Sequence, residues 1–306
     1  MITVVGSFVV DLSMRSPHMP VPGETVLGRS FKMGPGGKGG NQAVSAACSG
    51  SEVYMITKLG DDEFGEMAKK NFTNEGINID YTPIDPKDPT GAAVIIVDDT
   101  SENMIVVAGC ALNNLTREEV YKAEDIIAKS NVLVVQLEVA MEATKAAVEI
   151  AHKYNVPVIF NPAPFSDFPQ EIIPMVTYAT PNETEASEWS GVKVVDDASA
   201  LEAAQKIIDM GVQCIIMTLG KRGSLVYKSR DEYKFVDSFH IENPVDTTGA
   251  GDAYNGGLAH ALDVGMDIYD AVRYASAVGG LSVTKMGTAP AMPYKNEVEE
   301  FLAKQN

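Results

Sequence analysis

Short apolar, β-branched runs alternate with helical patterns over most of this chain, and that alternation limits the fold more than any other feature. Runs at 3–5, 53–57, 132–137, 156–160, 178–180 and 214–219 predict strands. Apolar periodicity predicts helices over 42–49, 63–75, 117–129, 141–154, 198–210, 269–284 and 296–304. Strands with no polar alternation belong in a sheet covered on both faces. The expected class is therefore α/β, with a central, mostly parallel sheet and helices on both sides. Glu138, Asn161, Asn182 and Gly220 each fall at or near a strand's carboxyl end, where open α/β sheets form their ligand crevice.

Two segments break the rhythm. Residues 12–33 carry alternating stretches, three prolines and the turn Pro22-Gly23-Glu24, and residues 91–107 read as a hairpin around Asp98-Asp99-Thr100-Ser101. Both predict antiparallel strands without helices. They either decorate the edges of the main sheet or pair into a small β-sheet lid over the crevice. The second reading divides the chain into an α/β body (1–11, 34–90 and 108–306) and a lid (12–33 and 91–107). A lid with exposed edges also favours a homodimer, because those edges need partners.

Composition narrows the function classes. The formal net charge of −18 disfavours nucleic acid and anionic membranes, which rely on clustered cations. A nucleotide stays open, since backbone N–H groups, one or two cations and a metal suffice for it. Cys48, Cys110 and Cys214 are too far apart in sequence to read as a disulfide framework or a thiolate metal site. They fit a reducing cytoplasm. The N-terminus reads as a buried strand and not as a leader peptide, and no apolar run is long enough to span a bilayer. His18, His152, His240 and His260 show no metal-ligand spacing.

The motif richest in chemistry is Asp246-Thr-Thr-Gly-Ala-Gly-Asp252. Gly249 and Gly251 let the backbone aim N–H groups at one point, and the small residues that follow predict a close-packed helix whose N-terminus attracts phosphate oxygens. Asp252 falls in its first turn. It is either an ordinary N-cap or the base that accepts a hydroxyl proton beside the anion. Gly34-Pro-Gly-Gly-Lys-Gly39 has the letters of a dinucleotide fingerprint, but it follows a lid-like segment and not the first buried strand. It reads better as a hinge, or as a loop binding hydroxyls, with Asn41 offering donor and acceptor from the next helix. Asp11 is placed to take two neighbouring hydroxyls or to serve a turn. Asn182-Glu-Thr-Glu185 either caps a helix or holds water around Mg²⁺. Thr218-Leu-Gly-Lys-Arg-Gly223 is a nucleotide-phosphate contact or a tight turn into a hairpin over 224–236.

In this order, these segments resemble the ribokinase-like carbohydrate kinase family over essentially the whole chain. Gly6-Ser7, Pro22-Gly-Glu-Thr25, Gly36-Gly-Lys-Gly-Gly-Asn-Gln42, Gly60-Asp-Asp62, Gln136-Leu-Glu138 and Asn161-Pro-Ala-Pro164 carry the resemblance with the motifs above. It implies transfer of the γ-phosphate of ATP to a primary hydroxyl of a small sugar. Asp252 would be the base, and the N–H groups of Gly249, Ala250 and Gly251 the anion hole. The sugar would meet Asp11, Gly37, Lys38, Asn41 and Glu138. Asn182, Thr218, Gly220 and Gly223 would meet the nucleotide, and Glu185 would meet Mg²⁺ through water. Asp246 and the Thr248 carbonyl would hold a monovalent cation, with K⁺ the expected activator.

The chain departs from the family pattern at three places. Val9 stands where an Asn usually precedes the sugar-binding Asp by two residues, Leu112 falls where an Asn is typical, and Ala291 where a Ser is common. Each lost amide removes hydrogen bonds worth about 0.5–1.5 kcal/mol. Ribose leads as acceptor, with a ketohexose, another pentose or a nucleoside as alternatives, and the lost amides favour a less polar or differently shaped sugar. A non-catalytic sugar sensor and an NAD-dependent oxidoreductase are the competing classes.

Overall fold

The computed structural model describes residues 1–100 and 102–305. The strands are β1 (Ile2–Val5), β2 (Val9–Arg15), β3 (Ser30–Gly36), β4 (Val53–Ile56), β5 (Leu59–Gly60), β6 (Ile84–Asp85), β7 (Gly91–Val97), β8 (Asn103–Ala108), β9 (Val132–Val135), β10 (Val158–Phe160), β11 (Tyr178–Ala179), β12 (Cys214–Thr218), β13 (Ser224–Ser229) and β14 (Glu232–Val236). The helices are α1 (Lys38–Cys48), α2 (Glu63–Asn74), α3 (Arg117–Tyr121), α4 (Glu124–Lys129), α5 (Met141–Lys153), α6 (Glu183–Ser190), α7 (Asp197–Asp209), α8 (Ala250–Asp263), α9 (Ile268–Ser282) and α10 (Lys295–Ala303). None of these helices is long and apolar enough to cross a membrane.

Eight strands form the main sheet in the order β14-β13-β12-β11-β10-β9-β1-β4. The pairings from β4 to β12 are parallel, and β13 and β14 close one edge as an antiparallel hairpin. Both faces are covered, and the period-2 geometry of a strand sorts each run between them. Ile2, Val4, Val132, Val134 and Ile159 pack with α1, α8 and α9. Val5, Leu133, Val135, Val158 and Phe160 pack with α5 and α7. Each such side chain contributes about 1.5–3 kcal/mol on burial, so the sheet centre is the most strongly specified part of the chain.

A second sheet has the order β3-β2-β7-β8. Each of its halves is an antiparallel hairpin as expected, but β2 and β7 join them in parallel, Val9 opposite Gly91 and Asp11 opposite Ala93. The small sheet also reaches further than 12–33: β2 starts at Val9 and β3 runs to Gly36. Asp11 therefore lies within a strand of the small sheet. Of the hairpin turn around Asp98-Asp99-Thr100-Ser101, Ser101 lies outside the described residues.

Three further elements differ from the sequence reading. Helix α1 begins at Lys38, ahead of the expected 42, because Gly39 and Gly40 are held by packing although glycine disfavours helix. A Cβ on Gly39 would lie 2.6 Å from the Gly6 carbonyl carbon and the Ser7 nitrogen, so only glycine lets α1 sit this close to the end of β1. Residues 117–129 form two short helices, α3 and α4, and Val120, Ala123 and Ile127 all face the core across the break. The two-residue strands β5 and β6 pair on their own.

Helix α8 packs between α1 and α9 through two adjacent glycines. A Cβ on Gly256 would lie 2.4 Å from Ser45 Cβ and 2.5 Å from the Gln42 carbonyl oxygen, and one on Gly257 would lie 2.8 Å from Val278 Cγ2. Adjacent residues point about 100° apart on a helix, so the pair serves two neighbours at once. Asp252 stands one turn before Gly256 on the same face. The glycine contact thus brings it onto the first turn of α1.

Candidate active site

The geometry centres on Asp252, in the first turn of α8 and 8% exposed. Gly249 caps that helix in the left-handed region at φ 78°, where a residue with a Cβ is strained. The first N–H groups of a helix have no intrahelical partner, and at Gly251 no heavy atom lies within 4 Å of where a Cβ would stand. The turn therefore presents its backbone at an open face beside a carboxylate. Asp252 Oδ2 accepts from Asn41 Nδ2 at 2.9 Å, and Oδ1 accepts from Gln42 Nε2 at 3.0 Å. Asn41 Oδ1 is buried and finds no partner among the described residues.

Around Asp252 the structure gathers Asp11, Lys38, Glu138 and Glu185. Burial, aided by the charges of Glu138 and Asp252, pushes the Asp11 carboxyl up to about 6. Gly36 makes room for that side chain: a Cβ there would come within 2.4 Å of the Asp11 carboxylate. Burial alone would lower the Lys38 ammonium, but Asp252, Glu138 and Glu185 outweigh it and hold it above its ordinary value. Glu138 Oε2 accepts from Ser7 Oγ and, at 3.0 Å, from the Lys38 N–H, so it also caps α1. Gly37, at φ 87°, makes the turn from β3 into that helix, and a Cβ on it would lie 2.9 Å from Phe8 Cα.

On the far side of Lys38, the capping reading of Asn182 and Glu185 is realised. The capping box is formed: Asn182 Oδ1 accepts from the Glu185 N–H and Glu185 Oε2 from the Asn182 N–H, each at 2.9 Å. Burial nevertheless keeps the Glu185 carboxyl above its ordinary value against the opposing pull of the Asn182 amide and Lys38. Thr218 bridges to Asn182 at the end of β12. Beyond it the tight turn is built. Gly223, at φ 89°, would drive a Cβ to 2.0 Å from the Val236 carbonyl oxygen, whereas Gly220, at φ 56°, faces open space. Arg222 is committed to Glu183 and Asp197, at 2.6 and 2.5 Å, so only Lys221 of the two expected cations is free of an ion pair within 4 Å among the described residues.

The stretch before α8 is tied to the chain's last loop. Asp246 accepts from the Thr248 N–H at 3.0 Å and the Gly287 N–H at 3.1 Å. Burial raises that carboxyl, but these two donors outweigh it and hold it below its ordinary value. Thr288, next in the loop, donates to the Pro35 carbonyl at 3.0 Å and packs against Gly249. Ala291 is buried.

Val9 and Leu112 are 4% and 1% exposed and share an apolar cluster with Ala93, Leu137 and Val139. Val9 projects from β2 on the same side as Asp11. The wall next to Asp11 is thus aliphatic. Three residues to which the sequence reading gave no role, Ser7, Gln42 and Gln136, enter the site, together with Asn161, which it had placed at the crevice. The one available signal was a polar residue in an otherwise apolar element, as at Gln136, directly after Val132–Val135.

The family model described as pfkB family carbohydrate kinase matches residues 1–295. Ribokinase of Haemophilus influenzae is 37% identical over 301 residues, 98% of each chain. Deoxyribokinase of Salmonella typhimurium is 36% identical over 303 residues, 99% of this chain and 98% of that one. The solved structure of Arabidopsis thaliana ribokinase complexed with ribose and ATP superposes with a TM-score of 0.92 at 26% identity, covering 98% of each chain. An acid at an open helix N-terminus, ringed by carboxylates and one lysine, thus sits on a chain that belongs to the pfkB family of carbohydrate kinases.

Proposed function

We propose that the protein is an ATP-dependent kinase for a small sugar, with ribose as acceptor. The observation that carries this reading is Asp252 at the α8 N-terminus, its two oxygens held by Asn41 and Gln42, in one cluster with Asp11, Lys38 and Glu138. Asp252 takes the proton of a primary hydroxyl as its oxygen attacks the γ-phosphorus. The bond from that phosphorus to the β–γ bridging oxygen breaks, and ADP leaves. The N–H groups of Gly249, Ala250 and Gly251 take up charge on the moving phosphoryl group. Asp11, Gly37, Lys38, Asn41 and Glu138 hold the sugar; Asn41 Oδ1 is the acceptor left for a sugar hydroxyl. Asn182, Thr218 and Gly220 line the nucleotide side, with Gly223 shaping the turn behind them.

The donors fit a divalent ion that keeps its waters. Among the described residues no group of three or more His, Cys, Asp or Glu side chains is placed to hold a metal directly, and Glu185 has one oxygen committed to its cap. Glu185 would hold Mg²⁺ through water, and the ion would neutralise phosphate charge. Asp246 and the Thr248 carbonyl would hold K⁺ beside the anion-binding turn. The small sheet acts as a lid over the sugar. Its edge strand β8 exposes Met104 and Val106 on one face and Ile105 and Val107 on the other, an apolar edge that a second copy covers. The free cysteines suit a reducing cytoplasm.

A second reading is favoured by the aliphatic wall of Val9 and Leu112: a deoxypentose, which offers fewer hydroxyls to be satisfied there. A coupled ADP-release screen over ribose, 2-deoxyribose, ketohexoses and nucleosides, with and without K⁺, separates these acceptors. Asp252→Asn should fold and lose turnover by about 10³-fold or more. Sugar-dependent ADP release undiminished in that variant rules out Asp252 as the base.

A further inference from the structure

Thr180, directly after β11, is 2% exposed and bonds through both its backbone and its side chain. Its carbonyl accepts from Asn161 Nδ2 at 3.2 Å. A carbonyl cannot donate, so the Asn161 amide can face only one way, with Oδ1 toward Gln42. Gln42 Nε2 then donates to Asn161 Oδ1 at 3.1 Å and to Asp252 Oδ1 at 3.0 Å. Gln42 Oε1 accepts from Gln136 Nε2 at 2.7 Å. The Thr180 hydroxyl donates to Asn255 Oδ1 at 2.6 Å, and Asn255 Nδ2 donates to the Gly251 carbonyl at 2.9 Å. Gln42 and Gln136 are fully buried, and Asn255 and Asn161 are nearly so.

We propose that this is a two-armed amide relay anchored on Thr180, with Gln42 and Asn255 as positioning residues that set the base and the anion-binding turn relative to each other. One arm ends on the Asp252 side chain and the other on the Gly251 backbone, so a single rigid strand end fixes both. Gln136 Oε1 finds no partner among the described residues, but both arms that reach Asp252 and Gly251 are fully hydrogen-bonded, and buried networks so satisfied are stiff. The transferred phosphoryl group needs that stiffness, since a misplacement of about 1 Å costs about 10²-fold in rate. Gln42 spends both amide hydrogens in the relay. Asp252 Oδ1 is thereby held as Oδ2 is by Asn41, which fixes the orientation in which the carboxylate meets the hydroxyl proton.

The proposal rests on the kinase reading above, and its test separates the two. Gln42→Met keeps the volume and removes the donor; kcat should fall about 10²-fold, with KM for sugar and ATP within about threefold. Thr180→Val cuts only the hydroxyl arm and should cost about tenfold in kcat. Gln42→Glu restores a donor only when protonated, and it meets the Asp252 carboxylate directly, which stands in one cluster with Asp11, Glu138, Glu185 and Lys38. Its kcat relative to wild type should therefore rise as pH falls from 8 to 6, a trend that a merely space-filling role would not produce. A folded Gln42→Met enzyme with kcat within twofold of wild type overturns the proposal. If that variant does not fold, a flat pH ratio for Gln42→Glu together with an unchanged Thr180→Val overturns it. Failure of the wild type to turn over any sugar overturns the kinase reading and this proposal with it.

Discussion

Asp11→Asn should make the ligand-free protein more stable at neutral pH and worse at its job. Among the described residues no hydrogen bond reaches the Asp11 carboxylate, and burial, Glu138 and Asp252 push it from 3.8 up to about 6. A carboxyl raised on folding binds its proton more tightly in the native state than in the unfolded chain. Stability therefore falls as pH rises from about 4 to about 6 and stays lower above that range. A shift of about two units corresponds to about 3 kcal/mol. Asn is isosteric and does not ionise. The variant should match wild type near pH 4 and gain stability on it to about pH 7, where the difference in Tm would be on the order of 5 °C. Thermal denaturation of both proteins between pH 4.5 and 8, without sugar or nucleotide, measures this. The same variant should raise KM for the sugar, as expected if the charge is retained for binding at a cost in stability. A Tm difference that is absent at pH 8, or constant across the range, would refute the linkage.

Three further outcomes follow from the packing. Gly256→Ala forces α8 away from α1, because its Cβ would stand 2.5 Å from the Gln42 backbone oxygen; expect about 1–3 kcal/mol of destabilisation and a tenfold or greater loss of kcat, and normal kinetics would show that Asp252 does not depend on that contact. Val9→Asn buries an amide in an aliphatic cluster, so Tm without sugar should drop, by about 1–3 kcal/mol in stability, while the ribose to 2-deoxyribose ratio of kcat/KM rises. An unchanged ratio would place Val9 outside the sugar site. Val106→Glu on β8 should convert a dimer to monomers in light scattering after gel filtration, and a wild type that is monomeric at micromolar concentration sinks the interface.

The readable parts of this molecule are those whose cause is local in sequence. Ile2–Val5 and Val132–Val135 are legible because strands buried on both faces cannot afford polar positions, and Asp252 is legible because a left-handed glycine and an acid sit within four residues at a helix start. Where two distant segments decide the outcome, the pattern is silent. Gly39 and Gly40 argue against helix until Gly6 and Ser7 are seen to press on them, and nothing in residues 9–15 or 91–97 announces that they pair in parallel. The relay is the extreme case. Asn161 is legible only as a residue at a strand's carboxyl end, and Gln42, Gln136, Thr180 and Asn255 carry no assigned role in the sequence; the five become one device only because β9, β10, β11, α1 and α8 converge at the sheet's carboxyl edge. The parallel connectivity stacks strand ends of one polarity side by side and, through α1 leading into β4, points the N-terminus of α1 at them, while α8 is brought there by its close packing on α1 at Gly256. The crevice was therefore foreseeable from the alternation of strands and helices alone. Which polar atoms face each other inside it was not, because that depends on helix-to-helix distances of a few ångströms set by Gly39 and Gly256.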